Sequence, residues 1–209
     1  MRRSVFFCSL LSYLLLAACV PMSQFPLSQP SGNEPDERLV GIWLFKADEK
    51  ESYFHFSKQR DGVSDMVSVS YDADGRMSYG MFEVFTTPVG TNQFMNIKII
   101  KVGLLEMGDT PPYLLAKYEI DDSDKLYIQL LSPEEVAQGI DDGILKGEIK
   151  DKKDNEIYIT DSSENLIRFI ENSDIDKLFS QTPYIEKQWG GPYQKIIQPF
   201  ADLPTEQLP

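Results

Sequence analysis

Cysteine and histidine are scarce in this chain, which has two cysteines and one histidine among its 209 residues. Structural zinc sites use four cysteine or histidine ligands, so such a site cannot be assembled here. The histidine, His55, lies between Phe54 and Phe56 in an alternating stretch, which favours a place on one face of a sheet over a role in a Ser-His-Asp triad. The sequence thus predicts no metal site, no cofactor and no catalytic residue.

Basic residues are also under-represented, with 20 lysines and arginines against 33 acidic residues and a formal net charge of −13. A chain this acidic lacks the basic patch that nucleic acids require, and anionic lipid head groups should repel it. It also lacks the glycine-rich loops that bind the phosphates of nucleotides. The sequence therefore predicts no nucleic-acid partner and gives no support to a nucleotide site.

Long apolar runs are missing as well. The run from Val5 to Leu16 is too short to span a bilayer, which takes about 20 apolar residues. It follows the positively charged pair Arg2 and Arg3, and it leads into the small residues of Leu16-Ala17-Ala18-Cys19. This charged, apolar, small-residue order is typical of a secretory signal peptide over residues 1–18.

The ending of that segment, Leu16-Ala17-Ala18-Cys19, resembles the lipobox of bacterial lipoproteins. In that family the cysteine sulfur carries diacylglycerol, the signal is cleaved just before it, and the new amine is acylated. The resemblance implies lipid attachment at Cys19 and membrane contact through that lipid. Val20, in place of the aspartate that commonly retains such proteins at the inner membrane, implies the periplasmic face of the outer membrane in a two-membraned bacterium. The alternative is a signal peptide with an incidental cysteine.

The mature chain divides into three parts by composition. Residues 19–37 combine prolines with small polar residues, which predicts a Pro-rich flexible linker, although docking of Phe25 and Leu27 on the domain is an alternative. Residues 38–182 predict one β-rich globular domain. Residues 183–209 are again rich in proline and predict a Pro-rich tail, part of which packs through its aromatic residues.

Short alternating stretches between turn residues predict about nine strands in an antiparallel meander. Asp72-Ala73-Asp74-Gly75 and Asp121-Asp122-Ser123-Asp124 are typical of hairpin turns, and neither has the closing glutamate of an EF-hand calcium loop. Ser132-Pro133-Glu134-Glu135 predicts a helix start, and the chain after Asp161 predicts one or two more helices. The fold class predicted is mainly β: a single antiparallel barrel or strongly curved sheet with two or three short helices late in the chain.

Gly41-Ile42-Trp43 opens the first strand of the domain and resembles the Gly-x-Trp of lipocalins, where the tryptophan closes one end of an eight-stranded barrel. The resemblance implies a lipocalin-like outline and makes Trp43 a candidate ligand-contacting or barrel-end residue. Thr160-Asp161 matches only part of a second lipocalin element, and the helix at Pro133 interrupts the strands instead of following them. The alternative is a core tryptophan beside a glycine that admits a neighbouring strand.

Three functions are compatible with these features. The first, which the sequence favours, is a non-catalytic envelope lipoprotein with a partner-binding or assembly role, since tether, linker and aromatic tail are present and catalytic residues are missing. The second is a lipocalin-like binder of a small apolar ligand. The third is a carboxylate-dependent hydrolase, because acidic residues are plentiful, although nothing selects a pair of them. We predict that the protein is not an enzyme.

Overall fold

A computed structural model describes residues 20–30, 36–47, 50–71, 74–108, 110–151, 156–181 and 185–189. Thirteen strands dominate these residues. The strands are β1 (Met22–Ser23), β2 (Gly41–Ala47), β3 (Lys50–Phe56), β4 (Ser64–Tyr71), β5 (Met77–Val89), β6 (Asn92–Val102), β7 (Leu105–Glu106), β8 (Tyr113–Ile120), β9 (Lys125–Leu131), β10 (Gly147–Asp151), β11 (Glu156–Ile159), β12 (Phe179–Gln181) and β13 (Ile185–Trp189). The helices are α1 (Pro133–Asp141), α2 (Ser163–Asn172), α3 (Ile175–Leu178) and a 3₁₀ helix (Glu37–Leu39).

The turn between β8 and β9 shows why these strands form a meander. The Asp121 carboxylate accepts hydrogen bonds from the backbone N–H groups of Ser123, at 2.8 Å, and Lys125, at 3.0 Å. Asp124 has a φ of 57°, a left-handed conformation that aspartate tolerates better than most residues. The predicted hairpin turn is confirmed here. The other predicted hairpin turn is described only from Asp74 onward.

Eight strands follow one another in a path of pairings that returns to its first strand. Their order is β8–β6–β5–β4–β3–β2–β13–β9, and β9 also pairs with β8. The link through β13 is short: Ile185 pairs with Leu126 of β9, and Glu186 pairs with Leu44 of β2. Because the pairings lead back to the first strand, the sheet has to curve. The mainly β prediction is confirmed, and the sheet is mixed instead of wholly antiparallel because β1 and β11 pair in parallel.

The sheet separates two apolar clusters, since alternate residues of a strand point to opposite faces. The inner cluster draws buried residues from all eight of those strands, so it fills the inside of the curve. Its buried members are Leu39, Trp43, Phe56, Met66, Phe82, Val84, Met95, Ile97, Ile99, Leu114, Ala116, Tyr118, Leu126 and Ile185. The outer cluster lies between the sheet and the three α-helices, with Phe94 and Phe179 in ring contact at 5.2 Å.

The helix predicted at Pro133 is confirmed as α1. The Ser132 hydroxyl accepts a hydrogen bond from the Glu135 N–H at 3.3 Å, which satisfies one of the free donors of the first turn. Val136 is fully buried against the outer cluster. Gly143 follows the helix with a φ of 71°, as expected for a glycine that ends a helix. All three α-helices follow β9, as the sequence predicts.

The segment before the domain corrects one expectation. A flexible linker was expected over residues 19–37, but residues 20–30 pack on the domain, and β1 pairs with β8 and β11. Leu27 is 1% exposed, and its N–H donates a hydrogen bond to the Asn96 side-chain oxygen at 2.6 Å. The alternative of docking is therefore correct for Leu27, whereas Phe25 remains 41% exposed.

The predicted boundary of the tail is also wrong. Strand β13 places residues 185–189 in the sheet, and Ile185 is 5% exposed in the inner cluster. Proline density at residues 183–209 hides this strand from a composition argument. Residues 190–209, the signal segment 1–18 and Cys19 lie outside the described residues. Within the part of the chain that is described, no helix has the length and apolar character to cross a membrane.

Candidate functional site

The inside of the curved sheet has two ends that differ in their chemistry. The tryptophan end holds Trp43 and the 3₁₀ helix that precedes β2. The serine end holds three serines on β3, β4 and β5, next to the loops that join β2 to β3 and β4 to β5. The two ends are considered in turn, because the sequence singles out only the first.

At the tryptophan end the indole of Trp43 is fully buried, and its N–H donates a hydrogen bond to the Leu39 carbonyl at 2.7 Å. The ammonium of Lys187, on β13, lies 5.1 Å from the centre of the indole ring. The same ammonium donates a hydrogen bond to the Arg38 carbonyl at 2.6 Å. These contacts hold the 3₁₀ helix across this end of the sheet. Trp43 is therefore buried at this end of the sheet, with its one polar group already engaged.

A charged cluster lies beside this helix. The Arg38 guanidinium donates two hydrogen bonds to the Asp36 carboxylate, at 2.9 and 2.7 Å, and the buried Tyr118 hydroxyl lies 3.1 Å from the same carboxylate. Burial raises the pKa of the Asp36 carboxyl, but the hydrogen bonds and charge of Arg38 outweigh burial and lower the pKa overall. Burial and the negative charge of Asp36 both raise the pKa of the Tyr118 hydroxyl.

The lowered pKa of Asp36 predicts a dependence of stability on pH. Because its folded-state pKa lies below the ordinary 3.8, ionised Asp36 stabilises the fold above about pH 4, and this contribution is lost as the pH falls through the folded-state pKa. Asp36→Asn should therefore reduce the loss of Tm between about pH 6 and about pH 3. Glu37→Gln, which changes the adjacent acid, is the control and should keep the full loss. An equal loss in Asp36→Asn and wild type would contradict this assignment.

At the serine end, three small hydroxyl side chains lie side by side on the inner face. Ser52 of β3 pairs with Ser70 of β4, and Ser70 pairs with Ser78 of β5. On β2 the neighbouring position is Phe45. We call Ser52, Ser70 and Ser78 the serine row. The next row of the same inner face carries Trp43, Phe54, Ser68, Gly80 and Val102, and the row beyond it carries Gly41, Phe56, Met66 and Phe82. The serine row is therefore a band of small polar residues beside a mainly apolar interior.

Two hydroxyls of the serine row are buried without a partner. Ser52 is 0% exposed, and neither its hydroxyl nor that of Ser78 has a hydrogen-bond partner among the described residues. A buried hydroxyl without a partner is unfavourable, so native proteins rarely contain one. The hydroxyls of Ser52 and Ser78 therefore have hydrogen-bonding capacity that no described neighbour uses.

The apolar residues next to the serine row are only partly buried. Phe45, Phe54 and Val102 point inward, yet each retains some exposure, in contrast to the deeper Phe56, which is 1% exposed. The Phe82 ring forms a floor beneath the row, since a Cβ added at Gly80 would come within 2.6 Å of it. Solvent therefore reaches inward-facing apolar side chains at the serine end.

Exposed apolar side chains surround this end. Tyr71 is 42% exposed, Met77 is 60% exposed, and Leu104 and Leu105, in the turn after β6, are 93% and 64% exposed. We call these four residues the rim. Single exposed apolar residues are ordinary, but several at one end of a sheet are typical of a surface that meets a partner or a lipid.

A depression of about 600 Å³ lies at the start of α2 beside Asp161. The Asp161 carboxylate accepts hydrogen bonds from the Lys146 N–H, the Ser162 N–H and the Asn165 side chain, at 2.8–2.9 Å. Burial raises the pKa of the Asp161 carboxyl, but these hydrogen bonds outweigh burial and lower the pKa overall. A general acid needs a raised pKa, so neither Asp161 nor Asp36 is suited to that role.

His55 lies on the outer face of β3, where it pairs with Ile42 and Val67 in the adjacent strands. That placement agrees with the sheet-face position expected from the alternation of Phe54, His55 and Phe56. Among the described residues no group of three or more histidine, cysteine, aspartate or glutamate side chains is placed to bind a metal ion.

The sequence pattern did not identify the serine row as a site. Alternation along β4 distinguishes a valine face from a serine face, but hydrophobicity would place the valines inside. Comparison with family models, with curated proteins and with solved structures found no match.

Proposed function

We propose that this chain is a non-catalytic, lipid-anchored envelope lipoprotein whose curved sheet acts as a lipocalin-like barrel and binds a small apolar ligand at the serine end. The observation that carries the proposal is the fully buried hydroxyl of Ser52, which has no hydrogen-bond partner among the described residues and lies next to the partly exposed, inward-facing Phe54. An apolar interior with a few convergent polar groups is the usual form of a small-molecule site.

The strand pairings support the barrel part of the proposal. Eight strands whose pairings return to the starting strand, with Trp43 at one end, match the outline that the Gly41-Ile42-Trp43 resemblance implies. The helices and the strands β1, β7, β10, β11 and β12 lie outside those eight. Attachment through Cys19 at the periplasmic face of the outer membrane remains part of the proposal, and it rests on the lipobox and Val20.

Photolabelling in membranes tests the ligand site. An uncharged alkyl diazirine added to membranes that contain the full chain should label Phe45 and Phe54, because both face the inside of the serine end and are reachable. Tyr53 on β3 and Val69 on β4, both on the outer face of the sheet, are the internal controls. Residue-level peptide mass spectrometry reads the result. Labelling of the outer positions with none at the inner ones would contradict a ligand site inside the sheet.

The rim favours a second candidate, the partner-binding role. Leu104 is 93% exposed, which leaves almost all of its side chain free to contact another protein. A photocrosslinking amino acid at position 104 should give one discrete protein adduct in living cells if this candidate is correct, and the same residue at position 123 should not. Equal crosslinking at both positions, or none at 104, would contradict it.

A further inference from the structure

The chemistry of the serine end indicates a class of ligand. We propose that it binds an uncharged amphiphile whose head carries several hydroxyl or ester oxygens, with Ser52 and Ser78 as its hydrogen-bond partners. This inference rests on the proposed function and deepens it, because it names the ligand class and the side chains that select it.

The number and spacing of the hydroxyls favour a head group with several oxygens. Adjacent strands lie about 4.8 Å apart, so Ser52 and Ser78, two strands apart, are separated by roughly 10 Å with Ser70 between them. A single oxygen cannot reach both Ser52 and Ser78. A head with several oxygens, such as a glycerol ester, can satisfy the two unpaired hydroxyls together.

Charge is sparse on the described inner face around the serines. On β2 to β6, no acid or base occurs among the described inner-face positions of the serine row and the two rows beneath it. These positions are Phe45, Ser52, Ser70, Ser78, Trp43, Phe54, Ser68, Gly80, Val102, Gly41, Phe56, Met66, Phe82 and Ile99. Lys187 of β13 pairs with Trp43, and its ammonium lies over the indole ring and donates a hydrogen bond to the Arg38 carbonyl. On the other side of the serine row, Lys50 pairs with Ala47. An anionic head would lose more hydration at the serines than a neutral head, which regains hydrogen bonds there.

The surface beside the serine row bears on the apolar part of the ligand. Phe45, Phe54 and Val102 retain exposed apolar surface beside the serine row, and the Phe82 ring limits the depth below it. A short apolar segment can cover those side chains, and a longer one has to continue outward along the rim. Burial of this surface supplies the non-directional part of the binding free energy.

The test uses two probes with the same acyl chain and different heads, 1-monooleoylglycerol and oleate. Each is titrated into the full chain, extracted from membranes in a mild detergent, and bound fractions are read by native mass spectrometry. Monooleoylglycerol should bind at least about ten-fold more tightly than oleate, and Ser52→Ala or Ser78→Ala should weaken its binding about ten-fold.

Thermal unfolding without ligand gives an independent readout. Removing an unpaired buried hydroxyl should leave Tm unchanged or raise it, so Ser52→Ala is expected to lose affinity without losing stability. Ser173→Ala is the control, because the Ser173 hydroxyl donates a hydrogen bond to the Phe169 carbonyl at 2.7 Å. That variant should lower Tm and leave binding unchanged.

Each outcome decides a separate point. Equal affinity for oleate and monooleoylglycerol would overturn the ligand class, and so would unchanged binding in both serine variants. Neither result affects photolabelling of the inner residues, so the proposed function would stand. Failure of both probes to bind overturns the class in the same way when inner photolabelling persists. Absence of inner photolabelling together with absence of binding overturns the proposed function as well.

Discussion

Cys19→Ala should abolish attachment of the protein to the membrane through lipid. In the proposed lipoprotein the substitution removes the sulfur that would accept diacylglycerol, together with the normal cleavage site, and a strongly acidic chain has no electrostatic attraction to anionic lipid that would replace the lipid anchor. The domain should still fold, since the other cysteine, Cys8, lies inside the signal segment and Cys19 has no disulfide partner in the mature chain. Metabolic labelling with a palmitate analogue, followed by membrane separation, measures both effects.

Cys8→Ala is the matched control for that experiment. It removes the other cysteine of the chain, inside the apolar run of the signal segment, and should leave labelling and membrane attachment intact. Unlabelled wild-type protein, or equal labelling of wild type and Cys19→Ala, would contradict the lipoprotein assignment. Label confined to the inner membrane would contradict only the sorting inferred from Val20.

Trp43→Ala should be the most destabilising single substitution in the described domain. The side chain is fully buried, and truncating a buried tryptophan to alanine typically costs about 3–5 kcal/mol, a large share of the 5–15 kcal/mol that stabilises an ordinary domain. The loss also frees the Leu39 carbonyl and removes the ring beneath Lys187. Urea denaturation followed by far-UV circular dichroism measures the change in the free energy of unfolding.

Two conservative variants separate the parts of that effect. Trp43→Phe keeps an aromatic ring but loses the N–H donor, and should cost about 1–3 kcal/mol because the Leu39 carbonyl loses its partner and some volume is lost. Lys187→Met keeps the apolar stem and removes the ammonium, at a cost of roughly 1 kcal/mol. A cost below 1 kcal/mol for Trp43→Ala would show that the tryptophan end does not hold the sheet together.

Local features of the fold were predictable because their causes are local. The hairpin turn at Asp121 to Asp124 forms as its residues predict, and α1 begins where Ser132 and Pro133 indicate. Side-chain alternation, capping and left-handed turn residues each act over a few neighbouring residues. For these elements the local sequence is sufficient to predict the structure.

The pairing of distant strands was not predictable in the same way. Strand β13 follows Pro183 in a proline-rich region and pairs with β2, more than a hundred residues earlier. Leu27 likewise enters the outer cluster because its backbone reaches Asn96, which no composition argument shows. Composition indicates where a chain is poor in regular structure, but a partner far along the chain can still supply the missing hydrogen bonds.

The serine row shows the same limit for function. The alternation of Val67 and Val69 with Ser68 and Ser70 defines two faces, but only the complete sheet decides which face is inner. The serines lie inside because β4 shares its inner face with Phe54 and Phe82 in adjacent strands. The placement of these serines on the inner face can therefore be seen in the folded structure but not in the sequence.

Native mass spectrometry of the full chain, released from its own membranes with no added lipid, is the most direct test of a ligand site inside the sheet. We expect the wild-type protein to carry a non-covalent adduct of lipid mass, and Ser70→Leu, which places a bulky apolar side chain in the middle of the serine row, to lack it. An adduct that persists unchanged in a folded Ser70→Leu variant, or a wild-type protein free of any adduct, would contradict the account.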